Sequence, residues 1–312
     1  MNEQVIRQFM TDINNEVVAF DDGSTGQRDA CSRLTNKGVP LELAFVWPDY
    51  QIRCTADIDM FASQKLRFEK SVERIAAAGY QPESQPVVDM IKKHLQHPDP
   101  AFRYGAWLGY RSGQDCPKLY AEICPHLFLQ QEEHLQIPDP CTVLQRGIKP
   151  VMFGWVPADG GYEVYYKASF LRPADIETLY AFYRLPSKAK EIKSLCERLL
   201  KKQIRTNFPM PDIGFSVSFS RSGVPEMFTL YAFAQSMLGM DHQIRHAILE
   251  LGNEESWNMR GYEGLTQHLQ IPGHNINTCH GMVGFASGLR GRLQFTVGVS
   301  PLMTAQLLAH AA

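Results

Sequence analysis

The chain has 312 residues, of which 44% are hydrophobic and 21% charged, and its 31 Lys and Arg against 33 Asp and Glu leave a net charge of -2. This is the balance of a water-soluble globular protein with a sizeable core, and it supplies no global field to draw in nucleic acid or a membrane surface. Any anionic ligand must therefore be held by local charges.

The opening stretch, MNEQVIRQFMTDINNE, is too polar for a signal peptide, and no apolar run approaches the ~20 residues that a spanning helix needs. A cytoplasmic protein with no membrane partner is expected. The seven cysteines (Cys31, Cys54, Cys116, Cys124, Cys141, Cys196 and Cys279) are scattered and form no CxxC. Reduced, mostly buried thiols fit better than a zinc knuckle or a disulfide framework.

In chain order, the first structural signal is LELAFVWPDYQIRC, residues 41–54. It reads as two strands around a turn at Pro48, Asp49 and Tyr50. Alternate positions (Leu43, Phe45, Trp47; Ile52, Cys54) are core-forming, while Glu42, Ala44 and Val46 share the other face with Gln51, Arg53 and Thr55. Four more pairs follow: 106–111 with 118–123, 151–156 with 162–170, 215–220 with 227–234, and 282–287 with 293–299. Segments rich in Gly, Pro, Ser and Asp (SGQDCP, PADGG, RSGVP, GLRG) join them as hairpins. Between hairpins the period becomes helical. Phe61, Phe68, Val72 and Ile75 mark one helix, Ile192, Leu195, Cys196 and Leu199 a second, Ile244, Ala247, Ile248 and Leu251 a third, and Ser300 with Pro301 opens a fourth.

Ten antiparallel strands curl, and closure removes their edges. The expected fold is therefore α+β: a single domain over 1–312, a ten-stranded antiparallel barrel ringed by helices, in five ααββ-like units. With helices outside, the outer side chains must be apolar. Leu119, Ala121 and Ile123 indeed alternate with Lys118, Tyr120 and Glu122, and Leu230 and Ala232 with Thr229, Tyr231 and Phe233. The same holds for Val164 and Ala168 against Glu163, Tyr165 and Lys167, and for Phe295, Val297 and Val299 against Gln294, Thr296 and Gly298. One face is greasy and the other polar.

A wide barrel with a polar, aromatic lumen is a ligand chamber. Arg53, Lys118 and Lys167 would project into it from three hairpins and cage a compact polyanion such as a diphosphate. Tyr120, Tyr165 and Tyr231 stand beside them, with ring faces suited to shielding a carbocation. Cations for a leaving group beside aromatic shields describe allylic diphosphate chemistry.

The hairpin GVPLEL to QIRCTAD, with Glu42 and Arg53 eleven residues apart, the strand KLYAEI, and strand pairs ending in VSP together resemble the ABBA-fold aromatic prenyltransferases. The similarity is to the indole-type, dimethylallyltryptophan synthase-like branch, including enzymes acting on hapalindole-type alkaloids. It covers positions 38 to 301 as an order of strands, and only the first hairpin and KLYAEI are specific to it. The resemblance implies that Glu42 hydrogen-bonds an indole N–H and that Arg53 and Lys118 bind diphosphate, with Tyr120, Tyr165 and Tyr231 shielding the cation. Thr229 stands where the family often has Gln. Gln294 and Thr296 stand where tyrosines are usual, and Glu163 where a lysine is usual. A carboxylate beside a diphosphate repels it unless a neighbouring lysine or a divalent ion intervenes, so Mg²⁺ at Glu163 is a possible, though not required, cofactor. The implied partners are an allylic diphosphate, dimethylallyl or geranyl, and an indole acceptor.

Other motifs fail. His242 and His246 have the spacing of a helical metal pair, but HQIRH lacks the zinc-peptidase glutamate. GFASG is neither a GxSxG elbow nor a dinucleotide loop, and Asp21 and Asp22 do not extend to DDxxD. No basic stripe with paired aromatics suggests RNA. The alternatives that stay open are a non-catalytic or cyclase-like barrel binding a bulky aromatic metabolite and, more weakly, an interaction scaffold.

Overall fold

The computed structural model describes residues 32–301 apart from 60–61, 81–85, 97–103, 112–113, 115, 126–127, 129–136, 146, 273–276 and 290. Cys31, Asp21, Asp22, Phe61 and the helix expected beyond Pro301 lie outside the described residues. Ten strands form one closed antiparallel barrel in which each strand pairs with its neighbours in sequence and β1 closes on β10. They are β1 (Leu41–Trp47), β2 (Gln51–Ala56), β3 (Ala106–Arg111), β4 (Lys118–Glu122) and β5 (Ile148–Trp155). The second half comprises β6 (Tyr162–Ala168), β7 (Ile213–Phe219), β8 (Pro225–Phe233), β9 (His280–Gly288) and β10 (Gln294–Val299).

Because consecutive strands are antiparallel neighbours, all five hairpins turn at the same end of the barrel. The longer connections, which carry the helices, join them at the other end. The connections hold α1 (Gln64–Ala77), α2 (Pro86–Gln96), the short α3 (Cys141–Leu144), α4 (Pro173–Phe182) and α5 (Ala189–Leu200). Before β9 come α6 (Ala234–Leu238), α7 (Asp241–Glu254) and α8 (Arg260–Leu265). None of the described helices is long and apolar enough to cross a membrane.

The core lies between the barrel wall and this helical coat. Phe68, Val72 and Ile75 of α1, Ile192, Cys196 and Leu199 of α5, and Ile244, Ile248 and Leu251 of α7 are all buried. They meet outward strand residues such as Leu119, Val164, Phe215, Leu230 and Val297. Outward aromatics stack along the wall: Trp47 on Trp257 with centroids 5.7 Å apart, Tyr162 on Phe219 at 5.1 Å, Tyr166 on Phe215 at 5.0 Å. Of the cysteines, Cys54, Cys116, Cys124, Cys196 and Cys279 are buried and unpaired, and Cys141 is half-buried.

A polar clasp locks α7 and α8 to the start of β9. Asp241 accepts the backbone N–H groups of Cys279 and His280, its Oδ1 sits 2.6 Å from His280 Nδ1, and the other ring nitrogen meets the Tyr262 hydroxyl at 2.8 Å. Those bonds hold Asp241 below the usual carboxylate range although burial opposes it. The clasp fixes the backbone beside Gly281. His242 and His246, on α7, gather no metal set: among the described residues no three His, Cys, Asp or Glu side chains converge.

Candidate active site in the barrel lumen

The face on which Glu42 and Arg53 sit is the inside of the closed barrel. Register places Glu42 opposite Thr55, Ala44 opposite Arg53 and Val46 opposite Gln51, so the alternation read in the first hairpin holds in three dimensions. The lumen is ordered along its axis. Arg53 is the third residue of β2 counted from the turn, Arg111 closes β3, Lys118 opens β4 and Glu163 is the second residue of β6. All four belong to the half of the barrel nearest the hairpin turns. Glu42 is the second residue of β1 counted from the helical end. Cations therefore gather at one end of the chamber and Glu42 sits toward the other, with tyrosines between; Glu122, which ends β4 at that same end, is bonded to the Tyr104 and Gly105 N–H groups.

Lys118 is the hub of the cationic end. Only 3% exposed, it donates to Glu163 in a very short contact and to the Tyr165 hydroxyl at 3.4 Å, and it lies 4.8 Å and 5.5 Å from the ring centroids of Tyr120 and Tyr165. Glu163 also accepts from Ser216 Oγ at 2.5 Å. Burial alone would raise the Glu163 carboxyl, but Lys118 and the hydrogen bonds from Lys118, Ser216 and Tyr165 outweigh it and hold it at about 2. The neighbouring lysine that a carboxylate in this position requires is thus Lys118 itself.

The tyrosines form a chain: Tyr120 and Tyr165 have centroids 6.0 Å apart, Tyr165 and Tyr231 6.1 Å. Burial, with Glu163 adding to it, pushes the Tyr165 and Tyr231 phenols far above their usual range, so both remain neutral. The Tyr231 hydroxyl is anchored on the Tyr166 carbonyl at 2.9 Å. Thr229, opposite Ser216, and Thr296, opposite Val46, complete the wall.

Glu42 differs from every other carboxylate in the chamber. No hydrogen bond or ion pair to a described residue holds it, and burial raises its carboxyl to about 7. It is positioned by what surrounds it: a Cβ at Gly298 would lie 2.5 Å from its Cδ, and one at Gly281 would lie 2.0 Å from its Oε2. The same device recurs around the lumen. Tyr120 lies over Gly109, Lys118 over Gly154, Tyr231 over Gly214 and Thr296 over Gly284, each within 2.7 Å of where a Cβ would stand. Each of these glycines is a notch on the adjacent strand that a lumen side chain occupies.

Two expectations are corrected. Lys167 has the inward parity but not the height: it lies four residues beyond Glu163 on β6, about 13 Å at ~3.3 Å per residue. There its side chain is 59% exposed and pairs with Asp212 at 3.0 Å, outside the cationic cluster. Gln294 opens β10 at the turn end and donates to Asp49 at 3.3 Å, on the rim instead of the cluster. Conversely, the sequence reading missed Arg111 and Trp107. Arg111 is the cross-strand partner of Arg53 and hydrogen-bonds Tyr120, and Trp107 points its buried indole Nε1 inward without a partner. Both share parity with Gly109, the notch under Tyr120, so the signal lay one alternation to either side of it on the same strand.

No protein-family model matches the chain, and no curated protein matches it by sequence. Solved structures do. The prenyltransferase PriB in its apo form superimposes with a TM-score of 0.69 at 13% identity, covering 86% of this chain and 82% of that one. The barrel is the ABBA prenyltransferase fold. A second structure with this fold, 5-dimethylallyl tryptophan synthase from Streptomyces coelicolor in complex with DMASPP and Trp, gives 0.67 at 12% identity over 93% of this chain and 89% of that one. A third, 6-dimethylallyltryptophan synthase from Micromonospora olivasterospora, also with DMASPP and Trp, gives 0.65 at 15% identity over 86% and 84%. Identities this low establish the ABBA fold and nothing finer; the chemistry must be argued from the lumen itself.

Proposed function

We propose that the chain is an aromatic prenyltransferase that moves an allylic group, dimethylallyl or geranyl, from its diphosphate to a ring carbon of an indole. The observation that carries this reading is the axial order of the lumen: a buried lysine beside half-buried arginines, then tyrosine rings, then a carboxylate that no described residue bonds. A carrier for an aromatic metabolite needs no such gradient. Solved proteins of the same fold hold an allylic diphosphate analogue together with tryptophan, which supports the donor and acceptor classes.

In this reading Arg53 and Lys118 bind the diphosphate and absorb its charge as the allylic C–O bond breaks and the electron pair leaves with the phosphate oxygen. The allyl cation is stabilised by the faces of Tyr120, Tyr165 and Tyr231. Glu42, as carboxylate, accepts a hydrogen bond from the indole N–H and enriches the ring, whose carbon attacks the cation. The ring proton then leaves to Glu42 or to the departing diphosphate, restoring aromaticity. Thr229 and Thr296 shape the chamber wall. The reading needs no Mg²⁺: Glu163, the carboxylate expected to hold one, is already bonded to Lys118 and Ser216. EDTA is expected to leave activity unchanged in the wild type and in Glu163→Gln; a Mg²⁺ requirement present in the first and lost in the second would contradict this.

Incubation with dimethylallyl and geranyl diphosphates against a panel of indoles, read by mass, tests the function. A product heavier by one prenyl unit is expected with at least one pair, and prenylation of no indole with either donor would overturn the reading. The glycine notches give a subtler check. Gly298→Ala would push the Glu42 carboxylate off its seat at an overpacking cost of about 1–3 kcal/mol. Turnover should fall while the affinity for inorganic pyrophosphate, which binds at the other end, stays at the wild-type value; parallel loss of both would show that the notch serves the whole barrel and not Glu42.

A further inference from the structure

We infer that Arg111 and Arg53 form a two-guanidinium clamp for the phosphate end of the donor, an inference that rests on the diphosphate reading above. The two residues are cross-strand partners of β2 and β3, with the Arg53 Cα opposite the Arg111 Cα and both side chains on the lumen face. Directly opposed side chains of neighbouring strands are in contact range, and like charges placed so repel each other. Among the described residues neither guanidinium has a carboxylate within salt-bridge distance, and Arg53 Nε is buried without any hydrogen-bond partner. Arg111 is tied to the Tyr120 hydroxyl, which fixes its direction without neutralising it.

The nearest carboxylate, Glu163, is already bonded to Lys118 and Ser216. With Arg53, Arg111 and Lys118 against Glu163 alone, this end of the chamber holds a surplus of two positive charges. Burial and the proximity of Arg111 both make it harder to keep Arg53 charged. An enclosed pair of like charges carrying an orphaned donor is unfavourable for the empty protein and becomes favourable once a multivalent anion bridges it. Planar guanidinium forks suit tetrahedral phosphate oxygens, which they can engage two at a time. Lys118, held by Glu163 against the tyrosines, is left closer to the bond that breaks, so the clamp grips the phosphate and the lysine faces the reacting carbon.

Calorimetric titration with inorganic pyrophosphate and with inorganic phosphate, at fixed ionic strength, tests the clamp in the full chain. Wild type is expected to bind pyrophosphate well and phosphate weakly. Arg111→Gln should weaken pyrophosphate binding by roughly 30-fold or more, and Arg111→Lys, which keeps the charge but loses the fork, should recover only part of it. A residue that merely supported the fold would behave differently, because removing one of two repelling charges should leave the ligand-free melting temperature of Arg111→Gln at or above that of the wild type. Pyrophosphate binding within twofold of wild type in Arg111→Gln or Arg111→Lys would overturn the clamp, as would a ligand-free Arg111→Gln that melts well below the wild type. If the wild type itself binds no pyrophosphate, the diphosphate reading fails and the clamp with it, whereas a wild type that binds pyrophosphate beside variants that bind it equally well overturns the clamp alone.

Discussion

Glu42→Gln is expected to slow prenyl transfer by roughly 10²- to 10³-fold while leaving pyrophosphate affinity unchanged. The glutamine fills the same notch above Gly298 but cannot accept the acceptor's N–H as an anion does, nor take up the ring proton. Because the Glu42 carboxyl sits at about 7 instead of its ordinary 4.5, kcat/KM of the wild type should climb with pH through neutrality, and the variant should lack that limb.

The same substitution has an opposite effect on stability. A carboxyl raised on folding stabilises the folded state fully below the unfolded value of 4.5, and that contribution is lost as pH rises through about 7. Glu42→Gln, always neutral, should match the wild type at acid pH and exceed it above pH 7 by about 2 kcal/mol, allowing for the partly open chamber. Denaturant unfolding at pH 5 and pH 8 reads this directly. Unchanged turnover, or a variant less stable than wild type at pH 8, would remove Glu42 from the account.

The second large effect belongs to Lys118. Lys118→Met strips the partner from a buried carboxylate, and breaking such a pair costs about 3–5 kcal/mol because Glu163 is left uncompensated. The double variant Lys118→Met/Glu163→Met should recover most of that loss, yet neither variant should bind pyrophosphate as the wild type does. The pair also carries an acid signature. Glu163 is held at about 2, so its contribution is present above 4.5 and lost as pH falls from there toward 2. The double variant should therefore lose less stability than wild type over that interval. A single variant as stable as wild type would mean that the ion pair is not formed.

Much of the fold was legible because two periods alternate cleanly. Strand ends at Leu41, Trp47, Ala106, Arg111 and Tyr162 coincide with those read from the sequence, since turn residues punctuate a strict in–out pattern. The largest misplacement, β5 beginning at Ile148 rather than 151, arises at Pro150, where the register of β5 on β6 shifts and a residue without an N–H masks the pattern. Helix α4 is not evident from the pattern although Pro173 opens it and Asp175 caps it, because Ala174, Ile176, Leu179, Tyr180, Ala181 and Phe182 spread apolar residues around it and leave no clear stripe. At the site, parity assigned Glu42, Arg53, Lys118, Tyr120, Tyr165 and Tyr231 to the lumen correctly. What parity cannot give is height. Lys167 and Gln294 alternate inward yet end on opposite rims, and Arg111, at the last position of its strand, was passed over even though the barrel sets it beside Arg53.

The gradient along the chamber is tested most directly by a crystal structure of the protein with dimethylallyl thiolodiphosphate. The phosphates should lie among Arg53, Arg111 and Lys118 near the hairpin turns, with the five-carbon tail running past Tyr120 and Tyr165 toward Glu42. Phosphates seated at the Glu42 end, or bound outside the barrel with the arginines untouched, would contradict it.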